Sequence, residues 1–237
     1  MKKQFLKGLV DGLPIGIGYL AVSFAFGIFS VSSGLTAIEA LLISMTNLTS
    51  AGQLAAVPII AGGGAFSEII VSQLVINLRY ALMSVSLSQK LDKGVKGLER
   101  LIIAFGNTDE IFATAMSNSK DVKSSYMYGL IIMPFFGWSL GTLIGAVAGN
   151  ILPAIVISAL GVAIYGMFIA VVIPAAKNEK ATALCVGLAI ILSCAFKFIK
   201  PLNSVPSGFV IIICAIIASA VFTIIAPISL KEVSAND

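Results

Sequence analysis

The sequence predicts an all-α membrane protein, a polytopic helical bundle of about seven or eight transmembrane segments with one or two helices broken or re-entrant at mid-membrane. Three observations carry this expectation. Of 237 residues, 58% are hydrophobic and only 11% are charged, against roughly 25% charged in soluble domains. The mean hydropathy is +1.05. The charges are bunched between apolar stretches long enough to span a bilayer. A soluble domain, a disordered chain and a coiled coil are excluded on the same grounds. Residues 1–237 read as a single transmembrane domain with no separate soluble domain.

Nothing is charged from Gly12 to Ile38. Lys2, Lys3 and Lys7 precede this run as they would in a signal peptide. The run is far longer than an h-region of about 7 to 15 residues and lacks a small-x-small cleavage site, so a retained first span is expected. The second segment, Ala40 to Ser67, is also uncharged, yet its centre reads Ser44-Met45-Thr46-Asn47-Leu48-Thr49-Ser50-Ala51-Gly52-Gln53. So polar a centre is out of place in a lipid-facing helix and calls for a protein-lined or wet surrounding. Ile69 to Gln89 holds one charge, Arg79, at mid-depth. Leu101 to Ser119 holds two, Asp109 and Glu110, again near the middle. Ser124 to Ala176 is free of charge and long enough for two helices, with Gly149-Asn150 and Pro153 as the turn. Ala181 to Phe196 makes a short span whose flanking Lys197 and Lys200 can snorkel to the interface. Pro201 to Leu230 supplies the last span and Lys231 to Asp237 a polar tail.

Lys and Arg number 15 against 11 Asp and Glu. Lying between apolar segments, they orient a membrane protein rather than recruit nucleic acid. The cluster of Lys90, Lys93, Lys96 and Arg100 favours the cytoplasm. It falls on the same side as the N-terminus if the second segment enters the membrane and returns. A re-entrant or broken second segment and a cytoplasmic N-terminus are therefore expected.

The chemistry is concentrated at mid-membrane. Ser50-Ala51-Gly52-Gln53 has the spacing of a capping box, in which Ser and Gln side chains satisfy the free amides of a helix start. Asn107-Thr108-Asp109-Glu110 repeats that logic, with Asn107 as cap and acidic residues in the positive first turn. Discontinuous helices of this kind are a recurring device for holding substrate. For the second segment the plainer alternative is that its small residues let helices pack closely, which leaves Asn47 and Gln53 unexplained. Arg79 keeps its proton and needs an anion. Either it forms a permanent tie with Asp109 or Glu110, or it binds a substrate carboxylate while one of those acids takes an ammonium or a proton. On an unbroken helix, Gln73, Asn77, Tyr80, Ser84 and Ser88 share one face and Arg79 points away from it. Only a break near Asn77 would bring Arg79 and Asn77 into one pocket.

Several classes of activity find no support. The chain has no histidine, which removes the commonest metal ligand and the Ser-His and Cys-His pairs. Cys185, Cys194 and Cys214 lie within apolar runs, as packing residues do. No G-x-x-x-x-G-K-[ST] loop is present, so this chain hydrolyses no ATP, and no nucleophile elbow appears. Gly62-Gly63-Gly64 reads as a turn, and Trp138 with Phe135 and Phe136 as packing residues. No enzyme activity and no cofactor are expected.

Three elements resemble the AzlC family of branched-chain amino acid exporters. They are Ser50-Ala51-Gly52-Gln53-Leu54-Ala55-Ala56, Asn77-Leu78-Arg79-Tyr80 leading to Leu87-Ser88, and Thr108-Asp109-Glu110-Ile111-Phe112-Ala113. The likeness continues through Gly137-Trp138, Gly141-Thr142 and Gly145. It implies a bacterial inner-membrane permease that exports leucine, isoleucine and valine together with a small membrane subunit of the AzlD type. Tyr80 departs from the pattern, which has histidine after the arginine. A tyrosine, with a reference pKa of about 10, exchanges no proton near neutral pH. An aliphatic amino acid is a zwitterion with an apolar tail, so its site needs a fixed cation, a carboxylate and apolar walls. The candidates for binding are Arg79, Gln53, Asn47, Asn77, Ser50, Gly52 and Thr108, and for ammonium binding or proton coupling Asp109 and Glu110. Export without ATP needs ion coupling, and a desolvated carboxylate suits a proton carrier. The alternatives are a passive channel or a transporter of another small amphipathic solute.

Overall fold

The computed structural model describes residues 2–118, 121–149 and 179–225, with short stretches and single positions between 151 and 177. The expected span up to Ala176 and the polar tail from Lys231 lie largely or wholly outside the described residues. Ten helices are described: α1 (Lys2–Ser32), α2 (Ala37–Thr46), α3 (Ser50–Ala61), α4 (Phe66–Ile76), α5 (Leu78–Lys90), α6 (Leu98–Phe105), α7 (Asp109–Met116), α8 (Ser124–Gly149), α9 (Lys180–Phe198) and α10 (Ser207–Ile225). Four of them, α1, α8, α9 and α10, are long and apolar enough to cross a membrane, and α4 with α5, bent by 44°, makes a fifth candidate.

The central seam joins α1 to α8 through glycines. A Cβ on Gly12 would lie 2.6 Å from the Leu130 carbonyl oxygen, and one on Gly16 2.7 Å from that of Met133. Further along, a Cβ on Gly27 would strike the Thr142 carbonyl and one on Gly145 the Phe24 carbonyl. Small residues give this close approach where lipid offers no hydrophobic drive for helices to associate. Residue numbers rise together along the seam, so the two helices run parallel.

Parallel neighbours require an odd number of crossings between them. At the end where the chain starts, the Lys7 ammonium donates to Asn118 Oδ1 at 2.8 Å and the Tyr126 hydroxyl to Asp11 Oδ2 at 2.8 Å. At the same end Leu91 pairs with Val122 in an isolated bridge. One buried cluster unites Leu87, Val95, Ile103, Ile111, Ala115, Met127 and Leu130 there. The end of α5, the start of α6, the end of α7 and the start of α8 therefore share one face. At the opposite face Val57 of α3 packs with Ala25, Phe26 and Leu35. The α4–α5 pair runs through from that face to the first.

It follows that α2–α3 and α6–α7 enter from opposite faces and return to them, with tips at 47–49 and 106–108. The second apolar segment is thus a hairpin of two short helices, α2 and α3, rather than one straight helix. The fourth, Leu101 to Ser119, is a second hairpin, and the expected seven or eight crossings are not reached among the described residues. A span and a re-entrant hairpin bury apolar stretches of similar length, so hydropathy does not separate them.

The two expected capping boxes do not form. The cap of α3 is Thr49 and that of α7 is Thr108, neither making a side-chain cap bond. Ser50 is the first helical residue of α3, and tertiary partners claim the Gln53 and Thr108 side chains. A complete box does form where α2 leaves the turn after α1. Glu39 N–H donates to Thr36 Oγ1 at 3.2 Å and Thr36 N–H to Glu39 Oε2 at 2.7 Å. Glu68, only 4% exposed, accepts the Gly208 N–H at 2.7 Å and so ties α4 to the start of α10.

Candidate functional site

The two hairpin tips meet at the middle of the seam, beside Tyr19 of α1 and Trp138 of α8. The return limbs α3 and α7 begin here. Ser50 and Ala51 on one, with Thr108, Asp109 and Glu110 on the other, line a cavity of about 680 Å³. Pro14, Ile15, Gly18, Tyr19 and Val22 of α1, together with Leu48 and Trp138, make its walls predominantly apolar. Arg79 and Tyr80, in the first turn of α5, complete the lining. Two helix starts thus turn their positive poles toward one mid-depth chamber.

The helix does break at Asn77, yet Arg79 and Asn77 still line separate cavities. Past the 44° bend, Arg79 reaches α7, and its Nη1 lies 2.8 Å from Asp109 Oδ2, the two side chains being 50% and 46% exposed. Arg79 Nη2 also donates to the Tyr80 hydroxyl at 3.0 Å. A half-exposed pair of this kind is worth on the order of 1 kcal/mol or less, which a ligand offering both charges can replace. Glu110 has a different partner: its carboxylate and the Thr108 hydroxyl both hydrogen-bond the Tyr19 hydroxyl. The adjacent acids therefore differ in environment, Asp109 meeting a cation and Glu110 a phenol.

Of the nine candidates, Arg79, Ser50, Thr108, Asp109 and Glu110 line this cavity, while Gln53, Asn47, Asn77 and Gly52 do not. Gln53 is fully buried. Its Oε1 accepts the Trp138 indole N–H at 3.0 Å, and its Nε2 donates to Ser44 Oγ at 3.2 Å. Ser44 in turn contacts Thr142 Oγ1 at 2.7 Å. This chain fixes both limbs of the first hairpin against α8 and holds Trp138 edge-on to Tyr19, with ring centroids 5.1 Å apart. Asn47 and Asn77 line a smaller cavity of about 180 Å³ on the other side of Leu48 and Tyr80. Gly52 has no room for a side chain, because a Cβ would lie 2.6 Å from Gln73 Oε1.

Tyr19, Trp138 and Gln73 were not among the expected site residues. A phenol near the centre of the uncharged first span was the available signal for Tyr19. For Trp138 the signal was its place in the family likeness at Gly137-Trp138, since taken alone its indole reads equally well as packing.

The sequence matches the AzlC protein family over residues 14–152. It is 28% identical over 195 residues to the inner membrane protein YgaZ of Escherichia coli K12, covering 79% of this chain and 78% of that one. It is 31% identical to an uncharacterized membrane protein of Archaeoglobus fulgidus, covering 80% and 84%. It is 26% identical over 141 residues to the branched-chain amino acid transport protein AzlC of Bacillus subtilis 168, covering 58% and 55%. No solved structure matches the chain.

Proposed function

Because the chain belongs to the AzlC family, we propose that it is a secondary transporter exporting branched-chain amino acids such as leucine, isoleucine and valine. In this reading it forms a single transmembrane transporter domain, works with a small AzlD-type membrane subunit, and draws on the proton gradient. The family and the name of the Bacillus relative place it with membrane proteins of amino-acid transport. The observation that carries the finer reading is the Arg79–Asp109 pair on the wall of a predominantly apolar mid-depth cavity.

A leucine zwitterion satisfies that wall by exchanging partners. Its carboxylate takes Arg79, aided by the amides at the start of α3 near Ser50. Its ammonium takes Asp109, and Thr108 offers a further oxygen. Its isobutyl tail lies against Ile15, Val22 and Leu48. Glu110, held by Tyr19, serves as the proton carrier. Gln53, Asn47, Asn77 and Gly52 frame the hairpin tips rather than touch cargo. The face carrying Lys2, Lys3, Lys7, Lys90, Lys93, Lys96, Arg100 and Lys123 is the cytoplasmic one, and the N-terminus lies there.

Competition against bound tritiated leucine on the purified chain with its partner tests the site. Isoleucine and valine displace it. Leucinol, lacking the carboxylate, and 4-methylpentanoate, lacking the ammonium, are each weaker by about tenfold or more. Equal displacement by either analogue contradicts the assignment. For the coupling, Glu110→Gln retains leucine binding but flattens the pH dependence of export in proteoliposomes. An unchanged pH profile removes Glu110 from proton transfer.

A further inference from the structure

The smaller cavity has a chemistry opposite to that of the larger one. The entry limbs α2 and α6 end on it, at Thr46 and Asn47 and at Ala104 and Phe105. The C-terminal, negative poles of two half-helices therefore meet there. Among the described residues, no carboxylate and no Lys or Arg lines it.

The side-chain oxygens of Thr46, Asn47, Thr49 and Asn77 present lone pairs rather than protons, and the hydrogen-bond network dictates this. Gln73 Nε2 donates to the Gly52 carbonyl at 2.9 Å, a partner that only accepts. Gln73 Oε1 is therefore an acceptor, and it takes the amide protons of both Asn47 and Asn77 at 3.1 Å. The Asn77 amide is thereby oriented, and its Oδ1 is left buried without a donor. The Thr49 hydroxyl gives its proton to Asn47 Oδ1 at 2.7 Å, and the Thr46 hydroxyl gives its proton to the Leu42 carbonyl at 2.7 Å. Asn107, only 2% exposed, is oriented with Nδ2 3.3 Å from Ser84 Oγ, a hydroxyl that can accept or donate, and in this orientation its Oδ1 too is buried without a donor. Unsatisfied buried acceptors cost on the order of 1–3 kcal/mol each, so two beside one cavity point to an occupant.

We propose that the cavity between the hairpin tips binds a small monovalent cation, sodium, through Asn77, Asn107, Thr46 and Thr49 oxygens. Hard oxygen ligands suit an alkali or alkaline-earth ion. With no carboxylate among the described lining residues, the uncompensated charge is smaller for a monovalent ion than for a divalent one. Leu48 and Tyr80 border both cavities, so an ion here lies one side chain away from the proposed cargo site. Participation of the ion in export rests on the transporter reading, whereas its binding does not.

Equilibrium binding of radiolabelled sodium to the purified full chain, at constant ionic strength in choline chloride, tests the proposal. Wild type binds saturably. Asn107→Leu and Asn77→Leu each weaken binding by about tenfold or more, the loss of one oxygen ligand to a charge. Asn107→Asp keeps the oxygen, adds a charge and retains binding. A monodisperse elution profile shows that each variant is folded. Absence of saturable binding by wild type, or unchanged binding by Asn107→Leu, overturns the proposal and assigns the cavity to water donating to both amide oxygens. Saturable sodium binding in a chain that fails to bind leucine leaves the ion site intact and defeats the export reading alone.

Discussion

Arg79→Ala lowers leucine export by about tenfold or more while the chain still reaches the membrane in normal amount. The guanidinium lies 2.8 Å from Asp109 and is the one cation lining the cavity among the described residues. Its removal takes away the proposed carboxylate partner and leaves the Asp109 charge at mid-depth without compensation. Losing a charge-assisted contact to the substrate carboxylate costs about 1.5–3 kcal/mol, equivalent to a fall of roughly 10- to 100-fold in export at subsaturating leucine. Arg79→Lys recovers little, because an ammonium lacks the planar fork that meets a carboxylate and Tyr80 together. Labelled leucine efflux, normalised to chain in the membrane, is the measurement. Export that survives Arg79→Ala makes the pair a structural tie between α5 and α7.

The second large effect concerns folding and lies outside the cavity. Gly145→Leu removes folded chain from the membrane, because the first side-chain carbon already collides with the Phe24 backbone carbonyl. Neither α1 nor α8 can move aside without disturbing the glycine contacts at Gly12, Gly16 and Gly27 on the same seam. Overpacking costs typically about 1–3 kcal/mol, and more where backbone is struck, a large part of the roughly 5–15 kcal/mol that stabilises a fold. Fluorescence-detected gel filtration of the solubilised protein reads this directly. Gly18→Leu serves as the control, since nothing lies within 4 Å of a Cβ there. Equal folded yield for the two variants contradicts the close parallel seam.

Much of this arrangement was legible in the residues. The charge-free runs locate the apolar segments, and the polar centre of the second marks a broken helix. Isolated charges at equal depth made Asp109 and Glu110 the candidate partners of Arg79, but left open which of them it meets and whether it meets either. The second hairpin was not legible, because α6 and α7 together have the length of a crossing and only the parallel register of α1 and α8 shows that they return. The caps misled for a related reason. Thr36-x-x-Glu39 lies outside the polar centre that drew attention, while Gln53 has the spacing of a box but finds a stronger partner in the Trp138 indole. Polar residues in the second segment divide into those lining the larger cavity and those holding the tips, a division set by contacts distant in sequence.

Efflux of labelled leucine from cells carrying this chain, with and without an AzlD-type subunit, tests the central claim most directly. The two-hairpin cavity as an exporter's binding site predicts rapid efflux that requires both chains and saturates with internal leucine. Efflux no faster than from cells lacking the chain, with both chains present in the membrane, contradicts it.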